Sequence, residues 1–197
     1  MTLASNTVRT TSSPKKFMTV DASLNSFAFS LFEDRELSKF GKMKFEGNNV
    51  YEKTIDAGKK VNALMQTSNL GVMVIERPIF VKSPAVASGL SMSQGAIVSA
   101  AALAGVDKIF SVPPLTWQSY IGTKLLTAAE KKKIRTDNPK RTTSWYKKAE
   151  RDARKQKTIR TVCKKFEVDI GDNDIADSMG IGIYCIDNWA RVEYNDQ

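Results

Sequence analysis

Apolar positions along the first fifty residues come in short strand-like bursts, after which the period changes. Residues 16–33 read as two strands: Phe17, Met18 and Val20 lead to Asp21, a polar turn occupies 22–26, and Phe27-Ala28-Phe29-Ser30-Leu31-Phe32 leads out. A third strand over 37–45 ends at Gly47-Asn48-Asn49, so the chain opens as an antiparallel meander. Helical spacing then takes over. Val50, Tyr51, Ile55, Val61, Leu64 and Met65 share one face, with Asn49 as N-cap and Asn69 and Gly71 as the stop. Val72-Met73-Val74-Ile75 is a short, continuous apolar run and reads as a strand buried on both faces, with Glu76 at its carboxyl end before Arg77-Pro78.

A helix rich in Ala, Gly and Ser is predicted over 84–104, with Pro in its first turn and Gly105 at its stop. Its small side chains would let another backbone approach, either within the molecule or from a second subunit. Residues 108–112 read as a further strand, closed by Pro113-Pro114. A short helix or loop precedes Asn138-Pro139. A long helix then runs over 143–166, with Ala149, Ala153, Ile159, Val162 and Phe166 on its inner face. In the last helical stretch Ile175, Met179, Gly182, Ile183 and Ile186 keep helical spacing, so one face meets a core.

Three strands, a helix, a strand, a helix, a strand and terminal helices predict an α/β fold: one mixed five-stranded sheet with helices on its faces. The first strand and the strand ending at Glu76 can then lie side by side at its centre. Asp21 and Glu76 are each the only acid in an otherwise apolar run. Asp174 and Asp177, three apart, share a helix face, and a terminal helix packed beside the two strands would bring all four carboxylates to one point. Acids in a first helical turn also simply complement the helix dipole, and that reading stays open for Asp174 and Asp177. Four carboxylates together repel one another unless a cation binds between them. Mg2+ or Mn2+, hard cations preferring oxygen ligands, would suit. Paired metals suit phosphodiester cleavage, and a nearby lysine would offset charge developing on the phosphate.

Charge sharpens this picture. Lys and Arg number 30 against 21 Asp and Glu, a net of +9. Residues 124–165 hold 16 basic and 4 acidic side chains, leaving the remainder slightly acidic at −3. A basic segment on an acidic body points to a polyanionic partner, nucleic acid before a membrane surface. Trp117, Tyr120, Trp145 and Tyr146 are interleaved with it. Cys163 and Cys185 lack CxxC spacing and the chain has no histidine, which argues against zinc and predicts two free thiols. No apolar run reaches the ~20 residues needed to span a bilayer. Residues 1–16 lack an apolar secretory region and read as a polar, disordered leader to a domain over 17–197.

The anchors Val20-Asp21, Ile75-Glu76 and Asp174-Ile175-Ala176-Asp177, in this order and spacing, give a chain that resembles the RuvC-type Holliday junction resolvases of the ribonuclease H-like superfamily, more closely their bacteriophage relatives. The resemblance spans about 17–189, apart from a basic insertion at about 123–150. It implies Asp21, Glu76, Asp174 and Asp177 as ligands of Mg2+ or Mn2+, two ions per site, and Lys155 as the catalytic lysine, with Lys157 second. It also implies dimerisation through the helix at 84–104 and places the family's aromatic wedge near Ile79-Phe80, where register favours Ile79 and chemistry favours Phe80. A second family lysine, ahead of the glycine matched by Gly122, has no counterpart, since Trp117 and Gln118 stand there. The glycine that follows the first aspartate in cellular members is also missing from Asp21-Ala22-Ser23-Leu24-Asn25. The insertion carries Lys131, Lys132, Lys133 and Arg141. With Lys147, Lys148, Arg154 and Lys157 it is expected to bind DNA.

The function expected on these grounds is structure-selective cleavage of four-way junctions and other branched DNA by a homodimer, with no membrane partner. A phage origin would place it in the host cytoplasm. Two alternatives are a ribonuclease H-like enzyme acting on RNA:DNA hybrid and a non-catalytic protein that binds branched DNA.

Overall fold

A computed structural model describes residues 13–78 and 83–194. Most of the polar leader, residues 1–12, and both wedge candidates, Ile79 and Phe80, lie outside the described residues. The chain runs β1 (Lys16–Ala22), β2 (Ser26–Glu33), β3 (Glu36–Lys44), α1 (Val50–Ser68), β4 (Val72–Glu76), α2 (Pro84–Leu103), β5 (Lys108–Val112), α3 (Pro114–Tyr120), α4 (Ala128–Asp137), α5 (Thr143–Phe166) and α6 (Asn173–Tyr194). The five strands form one mixed sheet in the order β3-β2-β1-β4-β5. β1 to β3 are antiparallel, while β4 is parallel to both β1 and β5. This is the expected meander followed by crossovers.

Local chemistry sets the boundaries. The Asn49 side chain accepts hydrogen bonds from the N–H groups of Tyr51 and Glu52, and Asn69 ends α1 in the left-handed region at φ 48°. Ser83 caps α2, with Pro84 in its first turn. Thr127 and Glu130 form a capping box on α4, and Thr142 caps α5.

Strand alternation sends side chains to two cores. Met18, Val20, Phe27, Phe29, Leu31, Met73 and Ile75 pack with Val61 and Met65 of α1 and with Ile97, Ala100 and Ala101 of α2. Phe17, Phe32, Val74 and Val112 face the other way, onto α3 and α6, through Trp117, Ile181, Tyr184 and Trp189. A third cluster joins α5 to α6 through Ile159, Val162, Ala176, Met179 and Ile183.

Several expectations need correction. The last helix is not half-buried: every residue from 178 to 186 is buried, because the sheet covers one side and α3 and α5 cover others. The helix after α5 carries a break at Asn188 (φ −133°, ψ 33°) that helical spacing did not announce. Residues 114–120, taken with the basic segment, form the separate helix α3. Finally, α2 is long and apolar enough to cross a membrane by length and composition, so the statement that no segment reaches that length does not hold for it. Its serines, glycines and glutamine interrupt the apolar run without adding charge, and in this fold its inner face belongs to the core above the sheet.

Candidate active site

Asp21 and Glu76 end adjacent parallel strands. The register pairs Val20 with Ile75, so the next residue on each strand, at the carboxyl edge of the sheet, is an acid. Both lie on the face covered by α6, since Thr19 and Val74, two residues earlier, point to that helix. The first two turns of α6 deliver Asp174 and Asp177. Asp172 starts that helix: its Oδ1 accepts from the N–H of Asp174 at 2.9 Å and of Ile175 at 3.2 Å.

Polar contacts fix the helix against the sheet one residue past Asp177. The Thr19 hydroxyl donates to the Ser178 carbonyl at 2.7 Å, and the Ser30 and Ser178 hydroxyls bond at 2.7 Å, all three residues being buried. A buried hydroxyl without a partner is costly, so this set specifies one seating of α6 rather than a sliding one.

The electrostatics show that the acids act on one another. Asp21 is held well above the usual carboxylate range by burial, then by the charges of Glu76, Asp177 and Asp174, with Lys155 opposing. Burial and Glu76 push Asp177 up to about 7, against Lys155; Asp174 adds to the rise and Arg154 opposes it. Burial also raises Glu76, opposed by a hydrogen bond from Trp117, while Asp174 raises it further. Asp21, Glu76, Asp174, Asp177, Lys155 and Arg154 therefore share one site.

Among the described residues, no three acids converge closely enough to form a ready-made metal cage. The donor set nonetheless fits a divalent cation. Three of the four carboxylates are forced toward protonation by burial and mutual repulsion, the condition that a hard cation with its own waters relieves.

Two partners of the acids were not legible in the sequence. Trp117 is fully buried, and its Nε1–H donates to Glu76 Oε1 at 2.8 Å. Gly180 makes this possible, because a Cβ there would stand 2.6 Å from Cζ3 of the indole. Lys42 is the other. It shares a row with Ala28 and Asp21 across β3, β2 and β1, and its ammonium lies 2.9 Å from Asp172 and 2.6 Å from Asp174. Burial alone would lower the Lys42 pKa, but the bonds to Asp174 and Asp172 outweigh it and the net shift is upward.

The other basic candidates scatter more widely. Lys157 pairs with Glu130 of α4 at 3.5 Å, which distinguishes it from Lys155. Lys133 pairs with Asp137 along α4. Lys132 and Lys148 are exposed. Arg141 lies over the Trp145 ring at 5.5 Å, and Arg135 over Tyr146 at 5.7 Å. The aromatic residues of the basic stretch thus serve the fold: Trp117 holds Glu76, and Tyr120 packs edge-on against Tyr184 and donates to Asp187 at 2.9 Å. Cys163 and Cys185 are both free, as expected.

Comparison with known proteins places the fold. No protein-family model matches the chain, and no curated sequence matches it. Among solved structures it is similar to Thermus thermophilus RuvC in complex with a Holliday junction substrate, with a TM-score of 0.63 and 12% identity over 89% of this chain and 97% of that one. A second Thermus thermophilus RuvC structure gives 0.59 at 10% identity, over 91% and 96%. The yeast mitochondrial Holliday junction resolvase Ydc2 gives 0.53 at 14% identity, over 94% and 83%. The chain therefore has the RuvC-type, ribonuclease H-like fold.

Proposed function

We propose that this protein is a metal-dependent endonuclease that cleaves four-way and other branched DNA as a homodimer. The observation that carries the reading is that Asp21, Glu76, Asp174 and Asp177, from three separate elements, lie within electrostatic reach of one another at the carboxyl edge of parallel strands, with the charge of Lys155 acting on Asp21 and Asp177. Its solved structural neighbours include a resolvase bound to a Holliday junction, which supports branched DNA as the substrate.

In this reading the four carboxylates hold Mg2+ or Mn2+, two ions per site. When bound, the metals supply an activated water and charge stabilisation at the leaving oxygen. Lys155 places a cation beside the reacting phosphate and offsets its developing negative charge. Trp117 keeps Glu76 in one orientation, and Asp172 and Ser178 set the rotation of α6 and thus the direction of Asp174 and Asp177. The catalytic role of a second basic residue, which Trp117 and Gln118 do not supply, falls to Arg154, whose charge already reaches Asp177. Two opposed nicks need two sites related by a two-fold axis, and the exposed, uncharged outer face of α2 suits a symmetric contact. A phage member of this group would act in the host cytoplasm.

The test is cleavage of a synthetic four-way junction beside linear duplex and RNA:DNA hybrid, with Mg2+, Mn2+ or chelator. Paired, metal-dependent nicks confined to the junction are expected. Preferential attack on the hybrid would move the function to ribonuclease H, and tight junction binding without cleavage under either metal would leave a binding protein.

A further inference from the structure

Beside the carboxylates, α5, α4 and the segment before α4 enclose a cleft of about 270 Å³, lined by Lys124, Leu125, Leu126, Lys131, Lys147, Glu150, Arg151 and Arg154. Five of these eight side chains are cations. The acids of the two helices do not neutralise them. Glu130 is turned to Lys157, Glu150 to Arg135 and Asp137 to Lys133, pairs that brace α4 or tie it to α5, and Asp152, exposed on α5, is not among the residues that line the cleft. Among the described residues, none of the five cleft cations has an ion-pair partner. Lys124, Lys131 and Arg154 are nevertheless half-buried. Holding like charges together, partly out of water and unpaired, costs free energy that an anion would return.

Arg154 also borders the active site: it lines this cleft and stands on α5 about one turn before Ile159, which packs in one cluster with Ala176, the neighbour of Asp177 on α6. The cleft therefore opens beside the carboxylates rather than on a remote face. Lys131 also borders a second concavity with Lys132 and Arg135, which continues the basic surface along α4.

We propose that this cleft is a phosphodiester subsite. It seats a backbone phosphate of the same DNA strand, close along the chain to the phosphate at the carboxylates, and so sets which phosphate is presented for cleavage. Lys124, Lys131, Lys147 and Arg151 hold the anion, and Arg154 bridges the two positions. Such contacts fix register without reading bases. The inference rests on the nuclease reading above, and its test separates the two.

The experiment measures binding of fluorescently labelled four-way junction and linear duplex, without divalent metal, across a salt series. Lys131→Ala/Lys147→Ala/Arg151→Ala is compared with wild type, with the exchange Lys131→Arg/Lys147→Arg/Arg151→Lys, and with the control Lys39→Ala/Lys108→Ala. The triple alanine variant should keep the wild-type melting temperature but bind both DNAs about tenfold more weakly, with a log-log salt slope shallower by about 1. The charge-preserving exchange should bind like wild type. The subsite is overturned if the alanine variant keeps wild-type affinity and slope, or if the control loses as much, and either result leaves the nuclease reading standing. Equal binding of duplex and junction, with the loss in the variant, supports the subsite while removing branch selectivity. Wild type that binds neither DNA overturns both.

Discussion

Trp117 illustrates how one side chain serves both fold and site. Its ring fills the space left by Gly180, and its N–H is the hydrogen-bond donor to Glu76. Trp117→Phe should cost about 2 kcal/mol through the lost bond and the smaller ring, measured by denaturant unfolding, and should lower cleavage more than DNA affinity. Lys42 makes a different prediction. Its ammonium occupies Asp174 in competition with a metal ion, so Lys42→Met should destabilise the metal-free protein by about 1 kcal/mol yet tighten Mn2+ binding in calorimetry; weaker binding would contradict this competition. Neither role was legible in the sequence. Trp117 sits in a stretch of aromatic and basic residues that reads as a nucleic-acid surface. Lys42 lies on an outer strand, 130 residues before Asp172. Asp21 and Glu76, by contrast, stood out because each interrupts an apolar strand, where an acid has no packing role.

The elements carry these residues with unequal legibility. α1 announced itself through Asn49 and Asn69 at its two ends, α2 through Pro84 in its first turn and a long uncharged run, and α5 through its long amphipathic run. α3 was missed because seven residues, starting at Pro114 directly after Pro113, offer too few turns for a periodic signal. The full burial of α6 was also hidden, since helical spacing reports one face and not what packs on the others. Its glycines were the available clue. A Cβ at Gly182 would run into the Phe32 ring, so the helix needs glycine there to lie close on β2. Gly182→Ala should cost about 2–3 kcal/mol and lift α6 from the sheet, with loss of cleavage, because both aspartates ride on it. A variant of unchanged stability and activity would show that the contact is not tight.

Across the whole molecule, the acids of the site set a pH dependence. The folded protein holds protons on Asp21, Glu76 and Asp177 at pH values where the unfolded chain has lost them, and Asp177 is raised from 3.8 to about 7. This contribution is fully present below pH 3.8 and is lost as pH rises through about 7. The metal-free protein should therefore melt lower at pH 8 than at pH 5. Asp177→Asn should raise its stability at pH 8 by about 2 kcal/mol while abolishing cleavage. Saturating Mg2+ should stabilise wild type more at pH 8 than at pH 5. The outer face of α2 gives a further outcome at this scale. Leu103, 82% exposed, and its apolar neighbours should mediate the dimer, and Leu103→Glu should shift sedimentation to the monomer. The central claim, that these four carboxylates form one divalent-cation site, is tested most directly by anomalous scattering from crystals soaked in Mn2+. Peaks among Asp21, Glu76, Asp174 and Asp177 are predicted. Peaks elsewhere, with none among these four in a protein that still cleaves DNA, would contradict it.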